Sequence, residues 1–127
     1  MDRYLLDTHV ILWLASEPHK LSEKVSQILI SNAPKSISVA SIWEVAIKLS
    51  KRGLDLEGGV EEFYKIANSN NLTILGVRKS HLKVLENLGF IHKDPFDRLI
   101  IATAKAQEMT IITIDEKIQK YDIPWIW

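Results

Sequence analysis

The chain has 127 residues, 46% of them hydrophobic and 25% charged, a composition typical of one folded domain spanning residues 1–127. Its 16 basic and 16 acidic residues balance, which argues against attachment to nucleic acid through one broad basic face. The chain has no cysteine, which excludes disulfide bonds and thiolate-ligated zinc.

An apolar run near the N-terminus superficially resembles a secretion signal. Asp7 and His9 interrupt this run, and the charges of Asp2 and Arg3 cancel, so we do not predict a signal peptide. No apolar run approaches the roughly 18 residues that a membrane span needs. The sequence therefore predicts a cytoplasmic protein without a membrane segment.

Short apolar runs predict the strands of a sheet. The first run ends at Asp7, and the second alternates apolar and polar residues, as a half-buried strand does. The predicted strands are residues 4–6, 36–39, 72–75 and 110–113, with residues 123–127 as a last strand at an edge.

Helical patterns separate these runs. Ser22 is a candidate N-cap, and Ser41 with Glu44 forms a capping-box pattern that opens a helix ending at Gly53. Trp13 and Trp43 fall on apolar helix faces and are predicted to lie in the core. Further helices are predicted after Asp7, over residues 60–68, 79–88 and 116–121, and from Asp94. Strands that alternate with helices predict an α/β fold with a mainly parallel sheet, whose site lies at the carboxyl ends of the strands.

The helix start at residue 94 is the most informative stretch. Asp94 is a candidate N-cap, Pro95 suits the first helical position, and Asp97 falls at the third, near the positive end of the helix dipole. Capping explains Asp94, but it does not require a second carboxylate at Asp97.

Three other acidic residues occupy comparable places near strand ends or helix starts. Each has a local explanation, because acidic residues are favoured at helix starts. Together they would repel one another unless a cation lay among them, and oxygen ligands suit Mg²⁺. The complete set is Asp7, Glu44, Asp97 and Asp115. His9 and His92 are expected nearby as hydrogen-bonding or substrate contacts rather than metal ligands.

Four stretches resemble the motifs of PIN-domain ribonucleases and, within that family, the toxins of VapBC-type toxin–antitoxin pairs. They follow the family's order and spacing over nearly the whole chain, and the first and third are the more specific. The stretches are residues 4–9 (YLLDTH), 41–48 (SIWEVAIK), 92–98 (HKDPFDR) and 113–115 (TID).

The resemblance implies a three-layer PIN-like fold whose central sheet has the order 3-2-1-4-5 and is flanked by helices. It implies an endoribonuclease that depends on one or two Mg²⁺ or Mn²⁺ ions, with Thr8 positioning a water or a metal-bound group. It further implies an RNA substrate, a cognate antitoxin and a homodimer. The residues implied as metal ligands are Asp7, Glu44, Asp97 and Asp115.

Substrate phosphates need positive charge near such a site. Arg98, Lys48 and Lys93 are the candidates by position, although Lys48 is also placed to pair with Glu44 along one helix face. Two other functions remain open. A receiver-like phosphoacceptor domain would need paired acids after the first strand and a late lysine, and neither is evident. A non-catalytic PIN-like module that binds RNA or a partner would be marked by a lost acidic ligand, and none is lost.

Overall fold

The computed structural model describes residues 2–127. Its five strands are all parallel and form one sheet in the order β3-β2-β1-β4-β5, which confirms the predicted order. A receiver-like domain has the order 2-1-3-4-5 instead, so the topology excludes that alternative. The strands are β1 (Tyr4–Leu6), β2 (Lys35–Ser38), β3 (Thr73–Leu75), β4 (Thr110–Ile112) and β5 (Trp125–Ile126).

Helices cover both faces of the sheet. A 3₁₀ turn, Pro18–Lys20, follows the first helix. In the part of the chain that the structure describes, no helix is both long and apolar enough to cross a membrane. The helices are α1 (Thr8–Ser16), α2 (Glu23–Ile30), α3 (Val39–Ser50), α4 (Gly59–Ser69), α5 (Lys79–Glu86), α6 (Pro95–Gln107) and α7 (Glu116–Gln119).

The central strand β1 supplies both hydrophobic layers. Leu6 lies opposite Ile37 on β2 and Ile112 on β4, and these three belong to one core cluster. Leu5 belongs to the other cluster, together with Ile111, because successive side chains of a strand point to opposite faces. Burial on both faces explains why β1 is a continuous apolar run. The parallel register pairs Leu6 with Ile112, so β1 and β4 end side by side.

The start and end of α3 differ from the prediction. Ser38 is the N-cap, its Oγ accepting the N–H of Ala40 at 3.0 Å, so Ser41 does not cap this helix. Glu44 therefore lies in the second turn rather than the first. At the other end Arg52, not Gly53, adopts the left-handed conformation with φ of 56°, and the N–H of Gly53 donates to Lys48 O at 2.8 Å.

The start of α6 agrees with the prediction. Asp94 Oδ1 accepts the N–H of Phe96 at 2.9 Å and that of Asp97 at 3.1 Å, and Pro95 is the first helical residue. The Ser22 cap of α2 is confirmed as well, since its Oγ accepts the N–H of Val25 at 3.1 Å. In each cap the side chain and the backbone N–H groups that it accepts lie within four consecutive residues, so a local sequence pattern can specify the cap.

Candidate metal and catalytic site

The four predicted carboxylates come from four separate elements near the carboxyl edge of the sheet. Asp7 follows β1 and Asp115 follows β4, Glu44 lies in α3, and Asp97 is the third residue of α6. Burial is the main cause of the raised pKa of Asp97, and repulsion from the other three carboxylates adds to it, so all three lie within electrostatic reach of Asp97.

Asp7 is buried and only half satisfied. Its Oδ2 accepts the hydroxyl proton of Thr113 at 2.8 Å, while its Oδ1 has no hydrogen-bond partner within the described residues. Burial raises the pKa of Asp7, an effect that the Thr113 hydrogen bond opposes. A buried carboxylate oxygen without a partner costs free energy unless a cation or a proton satisfies it.

The pKa of the Asp97 carboxyl is strongly raised. Burial, followed by repulsion from Asp7, Asp94, Glu44 and Asp115, raises the pKa of its carboxyl from 3.8 to about 8. At neutral pH Asp97 therefore holds a proton for much of the time when no cation is near. A divalent ion would replace that proton and offset the repulsion.

The buried hydroxyls of Thr8 and Ser41 hold the carboxylate of Glu44 in place. Thr8 Oγ1 lies 2.9 Å from Glu44 Oε1 and 2.8 Å from Ser41 Oγ. A hydroxyl has one proton and an ionised carboxylate only accepts, so Thr8 donates to Glu44 and accepts from Ser41. The other oxygen, Oε2, pairs with Lys48 Nζ at 2.9 Å, and this hydrogen bond raises the pKa of Lys48.

Asp115 has a structural and a site-facing oxygen. Oδ1 accepts the N–H of Lys117 at 2.8 Å and of Ile118 at 3.3 Å and thereby caps α7, while Oδ2 lies 3.1 Å from His92 Nε2. Burial raises the pKa of Asp115, but the hydrogen bonds from His92 and the two backbone N–H groups outweigh burial and hold the pKa below its ordinary range.

His92, which the sequence places near the site as a hydrogen-bonding or substrate contact, lies among the acidic residues. Its Nε2 lies 3.0 Å from Asp97 Oδ2 as well as 3.1 Å from Asp115 Oδ2, and one potential ligand atom from each of the three residues lies within 4.8 Å of the others. The local part of this geometry is the contact of His92 Nδ1, which accepts the backbone N–H of Asp94 at 3.2 Å. Its partners Asp97 and Asp115 are not visible in the local pattern.

Arg98 does not lie where a substrate phosphate could reach it. Its buried guanidinium donates to Leu88 O at 3.1 Å, Gly89 O at 2.8 Å and His92 O at 3.2 Å. The predicted substrate contact of Arg98 is therefore wrong, because these carbonyls occupy its donors. Lys48 lies at the site because its ammonium group pairs with the Glu44 carboxylate. Lys93 is exposed.

Trp43 is not a core residue, contrary to the prediction. It is 60% exposed, and its ring meets that of Phe96 edge-on at a centroid distance of 5.0 Å. Trp13, by contrast, is partly buried against the first core cluster.

Carboxylates at the carboxyl edge of a parallel sheet of this order define an α/β domain with an oxygen-rich acidic site. The chain belongs to the PIN domain family, whose profile matches residues 4–124.

Similar proteins are consistent with this assignment. The ribonuclease VapC22 of Mycobacterium tuberculosis is 27% identical over 125 residues, which cover 98% of this chain and 95% of that protein. The structure of VapBC2 from Rickettsia felis, bound to a DNA fragment from their promoter, superposes with a TM-score of 0.74 at 16% identity and covers 98% of each chain. DNA-bound VapBC from Salmonella typhimurium gives a TM-score of 0.70 at 14% identity and covers 99% of this chain and 98% of that one. At these identities the two structures show a shared fold.

Proposed function

We propose that this protein is a metal-dependent endoribonuclease that hydrolyses RNA phosphodiester bonds, and that it is the toxin of a toxin–antitoxin pair. The observation that carries the proposal is the arrangement of Asp7 and Asp97. A buried, unpartnered oxygen on Asp7 and like-charge repulsion at Asp97 both call for a cation between these carboxylates. Similarity to a protein named ribonuclease VapC22 supports RNA as the substrate.

The donor set fits Mg²⁺ or Mn²⁺. Asp7, Glu44, Asp97 and Asp115 offer carboxylate oxygens, and oxygen ligands are those that hard divalent cations prefer. One or two ions would be held by these four residues. When bound, such an ion lowers the pKa of a water molecule and offsets the charge of the attacked phosphate.

The chain's own residues prepare the site for this chemistry. Thr8 holds Glu44 through Oε1, and Thr113 holds Asp7 through Oδ2, so neither carboxylate needs to reorient when a cation arrives. Lys48 keeps a positive charge beside Glu44 and is the better placed of the two remaining candidates for a substrate phosphate. Lys93, exposed and next to the Asp94 cap, is the second.

The alternative is a PIN-like module that binds RNA or a partner without cleaving RNA. All four acidic residues are present near one another, and their mutual repulsion is unfavourable. A module without catalysis would gain nothing from keeping such a cluster. The structure of the acidic site therefore favours the enzyme.

An antitoxin is the partner that we propose. The names of the similar VapBC structures describe complexes of this kind, and an acidic site can receive an arginine from a partner by bidentate pairing. We also propose that the protein forms a homodimer, on the basis of its resemblance to VapC-type toxins.

The deciding experiment measures cleavage of structured RNA by the purified protein in Mg²⁺, in Mn²⁺ and in excess EDTA. We expect the protein to cleave RNA, EDTA to abolish the cleavage and added metal to restore it. The Asp7→Asn variant should not cleave RNA. Binding of RNA without cleavage in any metal would instead establish the non-catalytic module. Co-expression with the products of adjacent reading frames tests the antitoxin separately, because cleavage can persist without such a partner.

A further inference from the structure

His92 is held by its neighbours with its ring in one orientation. Its backbone N–H donates to the Tyr121 hydroxyl at 2.8 Å, and its carbonyl accepts from Arg98 Nη1 at 3.2 Å. Tyr121 in turn donates to Gly89 O at 2.6 Å. These contacts anchor the loop before α6 from both sides, so the position of His92 is set by buried groups.

The ring nitrogens of His92 have different roles. Nδ1 accepts the backbone N–H of Asp94 at 3.2 Å, and a nitrogen that accepts a hydrogen bond carries no proton. In the neutral ring the proton is therefore on Nε2, which faces Asp97 Oδ2 and Asp115 Oδ2. A protonated Nε2 is a donor and has no lone pair for a metal ion.

We propose that His92 is a positioning residue, which orients the carboxylates of Asp97 and Asp115 for a divalent cation without binding the cation itself. The Nε2–H group engages one oxygen of each carboxylate. Oδ1 of Asp115 already caps α7, so both oxygens of that residue are fixed, and the second oxygen of Asp97 is left for the cation. The proposal rests on the cation site proposed above.

The test compares His92→Gln with His92→Asn. The Gln amide nitrogen can occupy the place of Nε2, whereas Asn reaches only the place of Nδ1 and removes the donor. Residues that orient metal ligands change metal affinity by about 10–100-fold when lost. We expect Asn to weaken Mn²⁺ binding to that extent and Gln to change it only a few-fold, with free Mn²⁺ measured by its electron paramagnetic resonance signal.

His81 provides a matched control. It is a second buried histidine whose Nδ1 accepts a backbone N–H, that of Arg78 at 3.2 Å, but its Nε2 contacts Gln107, far along α6 from Asp97. His81→Asn should lower the melting temperature in EDTA and leave the Mn²⁺ dissociation constant unchanged. Equal losses of affinity in His92→Asn and His81→Asn would show a merely structural role for His92 and overturn the proposal.

A measurement on the unmodified protein does not depend on how the variants fold. Nitrogen-15 NMR of the His92 ring should show a protonated Nε2 in EDTA, and the same protonated Nε2 after Mg²⁺ is added. Loss of the Nε2 proton on Mg²⁺ addition would mean direct ligation and would overturn the proposal. If the unmodified protein bound neither Mg²⁺ nor Mn²⁺, both this proposal and the cation site would fail. Binding that is unchanged in His92→Asn would remove only the role of His92.

Discussion

Asp94 Oδ1 accepts the backbone N–H of Asp97 at 3.1 Å, so the carboxylate of Asp94 caps helix α6. Asp97 is the third residue of that helix. Asp94 Oδ1 also accepts the backbone N–H of Phe96, so both hydrogen bonds of the Asp94 carboxylate are to backbone groups. Asp97 instead faces His92 and the other acids. Two aspartates three positions apart thus have separate tasks, which substitutions can distinguish.

Asp94→Ala should lower the free energy of unfolding by about 1 kcal/mol, the usual effect of losing an N-cap. Metal-dependent cleavage should largely persist below the melting transition. Urea unfolding and the RNA cleavage assay measure the two effects. Ser22→Ala is the control, because it removes the cap of α2 and should cost a similar amount of stability. If Asp94→Ala were as stable as the unmodified protein but inactive, Asp94 would belong to the catalytic site.

Asp97→Asn should have the opposite effects. Cleavage should collapse, because the proposed metal site loses a carboxylate. The protein in EDTA should be no less stable than the unmodified one, and more stable at neutral pH, because folding no longer requires the carboxyl at position 97 to take up a proton. Thermal melts in EDTA and with added Mg²⁺ check this result. A variant that cleaved RNA normally would show that Asp97 is not a ligand.

The stability of the cation-free protein should fall as pH rises from about 4 to about 8. In this range the native protein keeps the Asp97 proton, since the pKa there is about 8, while the unfolded chain, near 3.8, has lost it. The Asp97 contribution is on the order of a few kcal/mol. Asp97→Asn should flatten the dependence of stability on pH in EDTA. Part of the slope should remain, because the pKa of Asp7 is also raised. An unchanged slope would contradict the assignment.

Local features of the fold and site were predictable, and contacts between distant residues were not. The Asp94 cap and the strand order follow from short patterns and from the resemblance to PIN domains. The choice of Ser38 over Ser41 as the cap depends on where β2 leaves the sheet, and Ser41 instead contacts Thr8, 33 positions away. The capping-box pattern fits Ser41, which has Glu44 three residues later, and not Ser38, so the tertiary structure overrides the local pattern here.

The assignments of His92 and Arg98 illustrate the same limit. Arg98 follows Asp97 directly and was therefore predicted to bind substrate, but its guanidinium points back into the loop that it stabilises. His92 was expected near the site, yet its role depends on Asp115, 23 positions later. Sequence spacing indicates which residues approach an edge of the sheet, whereas hydrogen-bond partners depend on side-chain direction.

Thr113→Val should weaken cation binding and lower stability. The substitution keeps the shape but removes the proton donated to Asp7 Oδ2 and the acceptor for the N–H of Asp115, which lies 3.0 Å from Thr113 Oγ1. Leaving buried polar groups unpaired costs about 1–3 kcal/mol each. Thr103→Val is the control, since that buried hydroxyl donates only to Leu99 O within α6. Calorimetric titration with Mg²⁺ should show weaker binding for Thr113→Val alone, and equal affinities would remove Thr113 from the site.

Arg98→Lys should destabilise the protein by about 2–4 kcal/mol even though the charge is kept, because buried carbonyls lose their donors. A lysine ammonium is a single point charge and cannot span the carbonyls of Leu88, Gly89 and His92 as the planar guanidinium does. The buried carbonyls would lose their donors, which is a large effect for a single substitution. Urea unfolding in EDTA measures the change, and Arg52→Lys, at an exposed position, should alter stability by less than about 0.5 kcal/mol. If Arg98 instead held a substrate phosphate, Arg98→Lys would keep its stability and lose RNA affinity, which would reverse the structural assignment.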